Sequence, residues 1–358
     1  MTPENTSPGL PAHGIPASGV ARRHPDRQTT WIIVHLVRVS PAAMPSPALL
    51  RDRLSSATAV FPLMASRLRD GRWVPASGPS ISFVDDQDDP LALAPLQRMA
   101  LDREPPVRLV ASTTGQWLLV CAHHFAFDGL GMVSLLRSLL TGEDAVAPPD
   151  YTSISSPRRF PTDALRRVLR PADRVAPSDV PPRRESFVAR KACLAGPGVT
   201  ARLARACANA AVAHNDRQGH RTNRIGLTVA VGGVRGEAAT YRRLDVVPGQ
   251  DIEGAVTTAM SDPRVPAELV RLPPGAFLLQ PALHRLSDTL LVSNLGRVEL
   301  PGATEFEAYG VPRGRSAVAI GAVGLPDQPT TITLRARDLS PEDAAHLLDQ
   351  IMVEMTDP

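Results

Sequence analysis

The chain has 358 residues, 43% of them hydrophobic and 4% aromatic, with 39 basic against 36 acidic side chains. That is apolar material for one large domain or two ordinary ones, and the near balance of charge is unlike a disordered polymer. Lys191 is the single lysine, the arginines are scattered, and the net charge is only +3, so a nucleic-acid surface is set aside. The three cysteines, Cys121, Cys193 and Cys207, are too few and too unpatterned for a disulfide framework or a zinc ribbon. Cys193 and Cys207 read as small buried residues. No apolar run approaches the length of a membrane span, and the first thirty residues lack the apolar core of an export signal, so a cytoplasmic protein is expected.

Residues 1–28, with Pro3, Pro8, Pro11 and Pro16, read as a mobile tail or strap. An N-terminal lobe, 29–147, begins with a strand over Trp31 to Val39. Ser46-Pro47 then supplies a helix cap and a first-turn proline, and Leu50, Leu54 and Ala57 recur at helical spacing until Pro62. Trp117 to His124, WLLVCAHH, is an apolar run of strand length. After a short loop, Leu130 to Leu140 has helical periodicity and ends at Gly142. Residues 148–184 are rich in proline and arginine and are expected to link two lobes, with a short helix near Asp163 to Arg170.

The C-terminal lobe, 185–358, opens on an alanine-rich helix over Val199 to Ala213, then a strand at Arg224 to Val231 and another running into Ser293-Asn294. TITLRA alternates as a strand, and Ser340-Pro341-Glu342-Asp343 starts a helix whose Leu347, Leu348, Ile351 and Met355 share one face. Gly232-Gly233-Val-Arg-Gly236 departs from a dinucleotide-binding spacing and reads as a turn between strands.

The stretch that carries chemistry is Cys121-Ala-His-His-Phe-Ala-Phe-Asp-Gly129, which sets two histidines, an aspartate and a glycine at a strand-to-helix turn as H-H-x-x-x-D-G. Adjacent strand residues face opposite ways, so His123 and His124 have different jobs. Both phases of the strand are apolar, and the pattern alone does not decide which histidine meets solvent. A histidine near its ordinary pKa is suited to take a proton from a hydroxyl or amine attacking a carbonyl. Asp128 can orient such a histidine or turn away to pair with an arginine, and Gly129 permits close backbone approach at the helix start. Cys121 and His124 lie on opposite strand faces, which argues against a shared metal.

This motif resembles that of the condensation-domain and chloramphenicol-acetyltransferase-like acyltransferases, which include polyketide-associated acyltransferases and wax ester synthases. Phe61-Pro62-Leu63-Met64-Ala65-Ser66-Arg67 with Gly71-Arg72-Trp73 upstream, Asp102 to Leu109 before the motif, and Val292-Ser293-Asn294-Leu295-Gly296 downstream are similar in order to segments of that superfamily. The resemblance implies an α/β fold of two related lobes with a tunnel between them, and acyl transfer from a carrier-protein phosphopantetheine or coenzyme A thioester to an amine or alcohol. His124 then takes the catalytic role and His123 supports it from the core. Asp128 pairs with an arginine, Arg67 or Arg297, and Gly129 keeps the tunnel open. Ser293, Asn294 and Gly296 form the substrate-binding segment opposite. No permanently bound cofactor or metal is implied. The chain is short for this superfamily and Leu227 to Arg242 is compressed, which leaves two alternatives: a non-catalytic protein that recruits a carrier or partner, or an enzyme that cyclises, dehydrates or hydrolyses a tethered intermediate.

Overall fold

A computed structural model describes residues 15–16, 30–86, 89–94, 99–143, 167–180, 182–194, 196–231, 240–261, 285, 287–313 and 317–356. The described strands are β1 (Ile15–Pro16), β2 (Ile32–Val39), β3 (Ser66–Arg69), β4 (Arg72–Pro75), β5 (Ile81–Val84), β6 (Val107–Ser112), β7 (Trp117–His123), β8 (Ser186–Ala192), β9 (Ile225–Val231), β10 (Thr240–Val246), β11 (Leu290–Arg297), β12 (Ala303–Tyr309), β13 (Val318–Gly324) and β14 (Thr330–Ala336). The described α-helices are α1 (Pro47–Val60), α2 (Gly129–Thr141), α3 (Val199–Arg217), α4 (Ile252–Ser261) and α5 (Pro341–Thr356). None is long and apolar enough to cross a membrane. The loop at Gly232 to Gly236 and the start of the helix near Asp163 lie outside the described residues.

A five-stranded sheet runs β12-β2-β7-β6-β5, antiparallel throughout except for the parallel pair β5–β6. Every residue of β7 is buried, which explains why neither phase of WLLVCAHH is polar. Helices α1 and α2 join this core through Leu50, Leu54 and Ala57 on one and Met132, Leu135, Leu136 and Leu139 on the other. Their ends follow from local chemistry. Ser46 accepts the Leu49 N–H at the start of α1, while α2 stops where Gly142 turns left-handed at φ +77°. Arg53 of α1 then donates to the unmatched carbonyls of Leu139 (2.9 Å) and Leu140 (2.6 Å) at that end.

A six-stranded sheet runs β10-β9-β11-β13-β14-β8. The core on it contains Ala201, Ala204, Ala208 and Ala211 of α3 and Leu347, Leu348 and Ile351 of α5. Helix α3 continues to Arg217, four residues past the expected end, because the polar His214 and Asn215 point inward rather than terminating it. Asn215 takes the Ala176 N–H and donates to the Arg174 carbonyl, and His214 bonds the Ala176 carbonyl. The described part of the proline- and arginine-rich stretch is therefore seated on the second core, with Val175 and Ala176 buried. Of the expected tail, Ile15–Pro16 forms a short strand on β4. Cys193 is exposed, against expectation, since it follows the last residue of the edge strand β8.

The two sheets do not divide cleanly at the linker. Strand β12 comes from the C-terminal half yet pairs along β2, with Ala308 opposite His35 and Phe306 opposite Val37. From the second sheet, Thr333 donates to the Ala308 carbonyl at 2.6 Å. The tightest tie is Arg335 of β14, 1% exposed. Its guanidinium bonds Glu185 (Nε to carboxylate, 2.7 Å), the Thr30 hydroxyl (3.1 Å) and the carbonyls of Gly310 (3.2 Å) and Ile32, and it lies over the Phe187 ring. A fork of donors held in one plane suits arginine and no other residue. Arg335→Met leaves Glu185 without its cation and the carbonyls without donors, so it is expected to cost about 3–5 kcal/mol of unfolding free energy in urea titration. Pairing it with Glu185→Gln should recover part of that loss, and an unchanged midpoint for the single variant would contradict this role.

Candidate active site

The turn after β7 sorts the two histidines. His123 is buried, its Nδ1 accepting the Phe125 N–H at 3.3 Å and its ring lying 4.7 Å from that of Phe125. His124 is in phase with Ala122 and Val120, whose partners across the ladder are Ile33 and His35, and this face opens on a cleft. The cleft is a partly open cavity of about 100 Å³. Both halves of the chain line it, with Ile33, Leu291, Val311 and Ala322 among its apolar residues.

The His124 imidazole is held at both nitrogens. Nδ1 lies 3.0 Å from the Phe127 carbonyl, and Nε2 lies 2.5 Å from the Tyr241 hydroxyl of β10. A carbonyl only accepts, so Nδ1 carries the proton and Nε2 presents its lone pair to the phenol O–H. Burial, helped by the Arg313 cation, pushes the His124 pKa down to about 4, against the opposing pull of the Phe127 carbonyl and Asp128. The ring is therefore neutral at physiological pH with its basic nitrogen turned into the cleft. Arg313 lies over the rings of both Tyr241 (4.5 Å) and Trp31 (5.3 Å), and the Trp31 carbonyl receives the His124 backbone N–H at 2.7 Å.

Asp128 caps α2 by accepting the Gly131 N–H at 2.7 Å. Of the two arginines expected on it, Arg297 donates to the Leu325 carbonyl at 2.7 Å, and Arg67 stands on β3 opposite Val74 of β4. A β-carbon at Gly129 would come within 2.9 Å of Leu295 Cδ2, so the glycine lets the start of α2 close on β11.

Ser293 and Asn294 reach the same cleft, and Gly296 does not line it. Both ends of the Asn294 amide are engaged within the protein, Nδ2 donating to the Thr200 hydroxyl (3.0 Å) and Oδ1 accepting the Gly296 N–H (2.9 Å). Gly296 is left-handed at φ +71°, which makes it the residue that shapes this turn.

No protein-family model matches the sequence, and no curated protein sequence does. Solved structures do match across nearly the whole chain. The starter condensation domain of rhizomide synthetase, a substituted variant in complex with C8-CoA and Leu-SNAC, superposes with a TM-score of 0.58 at 13% identity, covering 96% of this chain and 93% of that one. The first condensation domain of the calcium-dependent antibiotic synthetase, in complex with a substrate analogue, gives 0.58 at 14% identity, covering 96% and 95%. The epimerization domain from the third module of tyrocidine synthetase B gives 0.55 at 15% identity, covering 97% and 96%. The chain has the condensation-domain fold.

Within this condensation fold, three cleft-side residues carry no motif and were missed in the sequence: His35, Tyr241 and Arg313. Each reaches the site from a separate part of the chain. A weak signal existed for Tyr241, since it is one of three tyrosines and stands in a strand-like TYRRLDV.

The clamp on His124 is open to direct measurement. Titration of labelled imidazoles by NMR is expected to find His124 neutral as the Nδ1–H form down to about pH 4. Arg313→Met should raise that midpoint by removing a nearby cation. A His124 midpoint near the ordinary value of about 6.5 would contradict the burial argument.

Proposed function

We propose that the protein is an acyltransferase that moves an acyl group from a thioester of coenzyme A or a carrier-protein phosphopantetheine to an amine or hydroxyl acceptor. The observation that carries this reading is the His124 imidazole. It is neutral and tautomerically fixed by the Phe127 carbonyl, with Nε2 receiving a hydroxyl proton donor inside a two-sided cleft. An acceptor O–H or N–H that takes the place of the Tyr241 phenol meets the same lone pair. Likeness to a fold solved with C8-CoA and Leu-SNAC supports the thioester class.

His124 Nε2 takes the acceptor proton as the acceptor oxygen or nitrogen attacks the thioester carbonyl. The new C–O or C–N bond forms, the C–S bond breaks, and the imidazolium returns its proton to the departing sulfur, so the free thiol leaves and His124 is restored. A thioester is already activated, so one base and the alignment of two substrates supply the catalysis without a metal or redox group. His123 and Asp128 act as positioning residues, one bracing the turn and the other fixing the start of α2. Ser293 stands on the facing wall as a hydrogen-bonding group for bound substrate. Natural-product biosynthesis is the setting this reading fits, with a carrier protein or coenzyme A as donor.

The test is thiol release and product mass from a panel of acyl-coenzyme A and acyl-carrier-protein thioesters offered pooled amines and alcohols. The wild type is expected to form an ester or amide, and His124→Ala to lower kcat by about 100-fold to 10,000-fold. Thiol release without an acylated product would mark hydrolysis instead. Turnover that survives His124→Ala would overturn the assignment of the base.

A further inference from the structure

A second histidine faces the cleft and takes no part in the chemistry above. His35 lies on β2 opposite Val120 and Ala308, on the same sheet face as Ile33. It is 1% exposed and lines the cleft with His124. Its Nδ1 is fully buried with no hydrogen-bond partner among the described residues. The ring meets the edge of Phe306, centroids 5.2 Å apart at 86°, which fixes its plane without satisfying its nitrogens.

An orphan buried nitrogen is destabilising, and an aliphatic side chain would avoid that cost at this position. Small residues adjoin it: Ala308 is its ladder partner, and Ala308, Gly310, Gly321 and Ala322 line the same cleft. His35 is four strand residues beyond Trp31, whose carbonyl bonds the His124 backbone, which sets it about 13 Å along the sheet from the base.

Resting on the acyl-transfer reading, we propose that His35 selects the donor, by hydrogen bonding to a hydroxyl carried along the acyl chain of the thioester. The lining near it is apolar, as an acyl chain requires, and the imidazole is the polar group set among it. Burial holds the ring neutral, with a pKa pushed down to about 3, so it offers one N–H and one lone pair and no charge. A hydroxyl both donates and accepts and so satisfies either tautomer. A saturated chain leaves the nitrogen orphaned, and sites built around a buried polar group discriminate strongly against ligands that lack its partner.

The test measures binding rather than turnover, so it stands even if no acyl transfer is found. Full-length His124→Ala protein is titrated with pantetheine thioesters of one saturated acyl chain and of the same chain hydroxylated at successive carbons. One positional isomer is expected to bind at least about tenfold tighter than the saturated chain and to move the His35 imidazole ¹⁵N resonances. His35→Leu should fold with undiminished thermal stability and bind all the chains alike, and His35→Gln should keep part of the preference. The proposal is overturned if no hydroxylated chain outbinds the saturated one, if the preference survives His35→Leu, or if none of the thioesters binds.

Discussion

The buried guanidinium of Arg335 sets where the two sheets stand, because its donors are spent on both sides of the boundary between them. Glu185 and Phe187 lie in or beside the strand next to its own, while Ile32, Thr30 and Gly310 belong to the first sheet or its margin. Ile32 is the register partner of His123. The anchor thus acts one residue from the strand end that presents His124, and a shift at Arg335 is a shift at the base. Strand β12 and the contact of Gly129 with Leu295 tie the sheets at two further places. Between these ties the sheets stay apart, and that separation is the cleft.

The chemistry follows from this separation. His124 alone would be an ordinary surface imidazole. Burial between the sheets keeps it neutral, the Phe127 carbonyl on its own turn fixes the proton on Nδ1, and Tyr241 reaches Nε2 from the opposite sheet. Among the described residues no carboxylate is hydrogen-bonded to the ring, and Asp128 caps the helix start. A backbone carbonyl orients the ring, which ties the tautomer to the conformation of the turn itself.

Much of the local structure was legible because local rules wrote it. Ser46-Pro47, Asp128 before Gly129 and Ser340-Pro341 each begin a helix by capping chemistry, and Gly142 ends one. The motif and its order along the chain pointed to the fold before any coordinates. The phase of His123 and His124 was hidden because β7 is apolar on both faces, one side facing helices and the other the cleft. The strand β12 crossing to the first sheet, the seating of Val175 and Ala176 on α3, and the convergence of Tyr241 and Arg313 on His124 are long-range outcomes with no local spacing to announce them. The aspartate is a case where a local signal was present: Asp128-Gly-x-Gly at a helix start is an N-cap pattern, and the structure uses it as one.

The most direct measurement is a crystal structure with a non-cleavable analogue in which a methylene replaces the thioester sulfur. The account predicts the acyl carbonyl in the cleft beside His124, separated from Nε2 by room for one nucleophile, a hydrogen bond plus an attack distance of roughly 3 Å each. It also predicts the Tyr241 hydroxyl displaced from Nε2 once an acceptor analogue is added. A carbonyl bound away from His124, or a phenol still seated on Nε2 with both ligands in place, would contradict it.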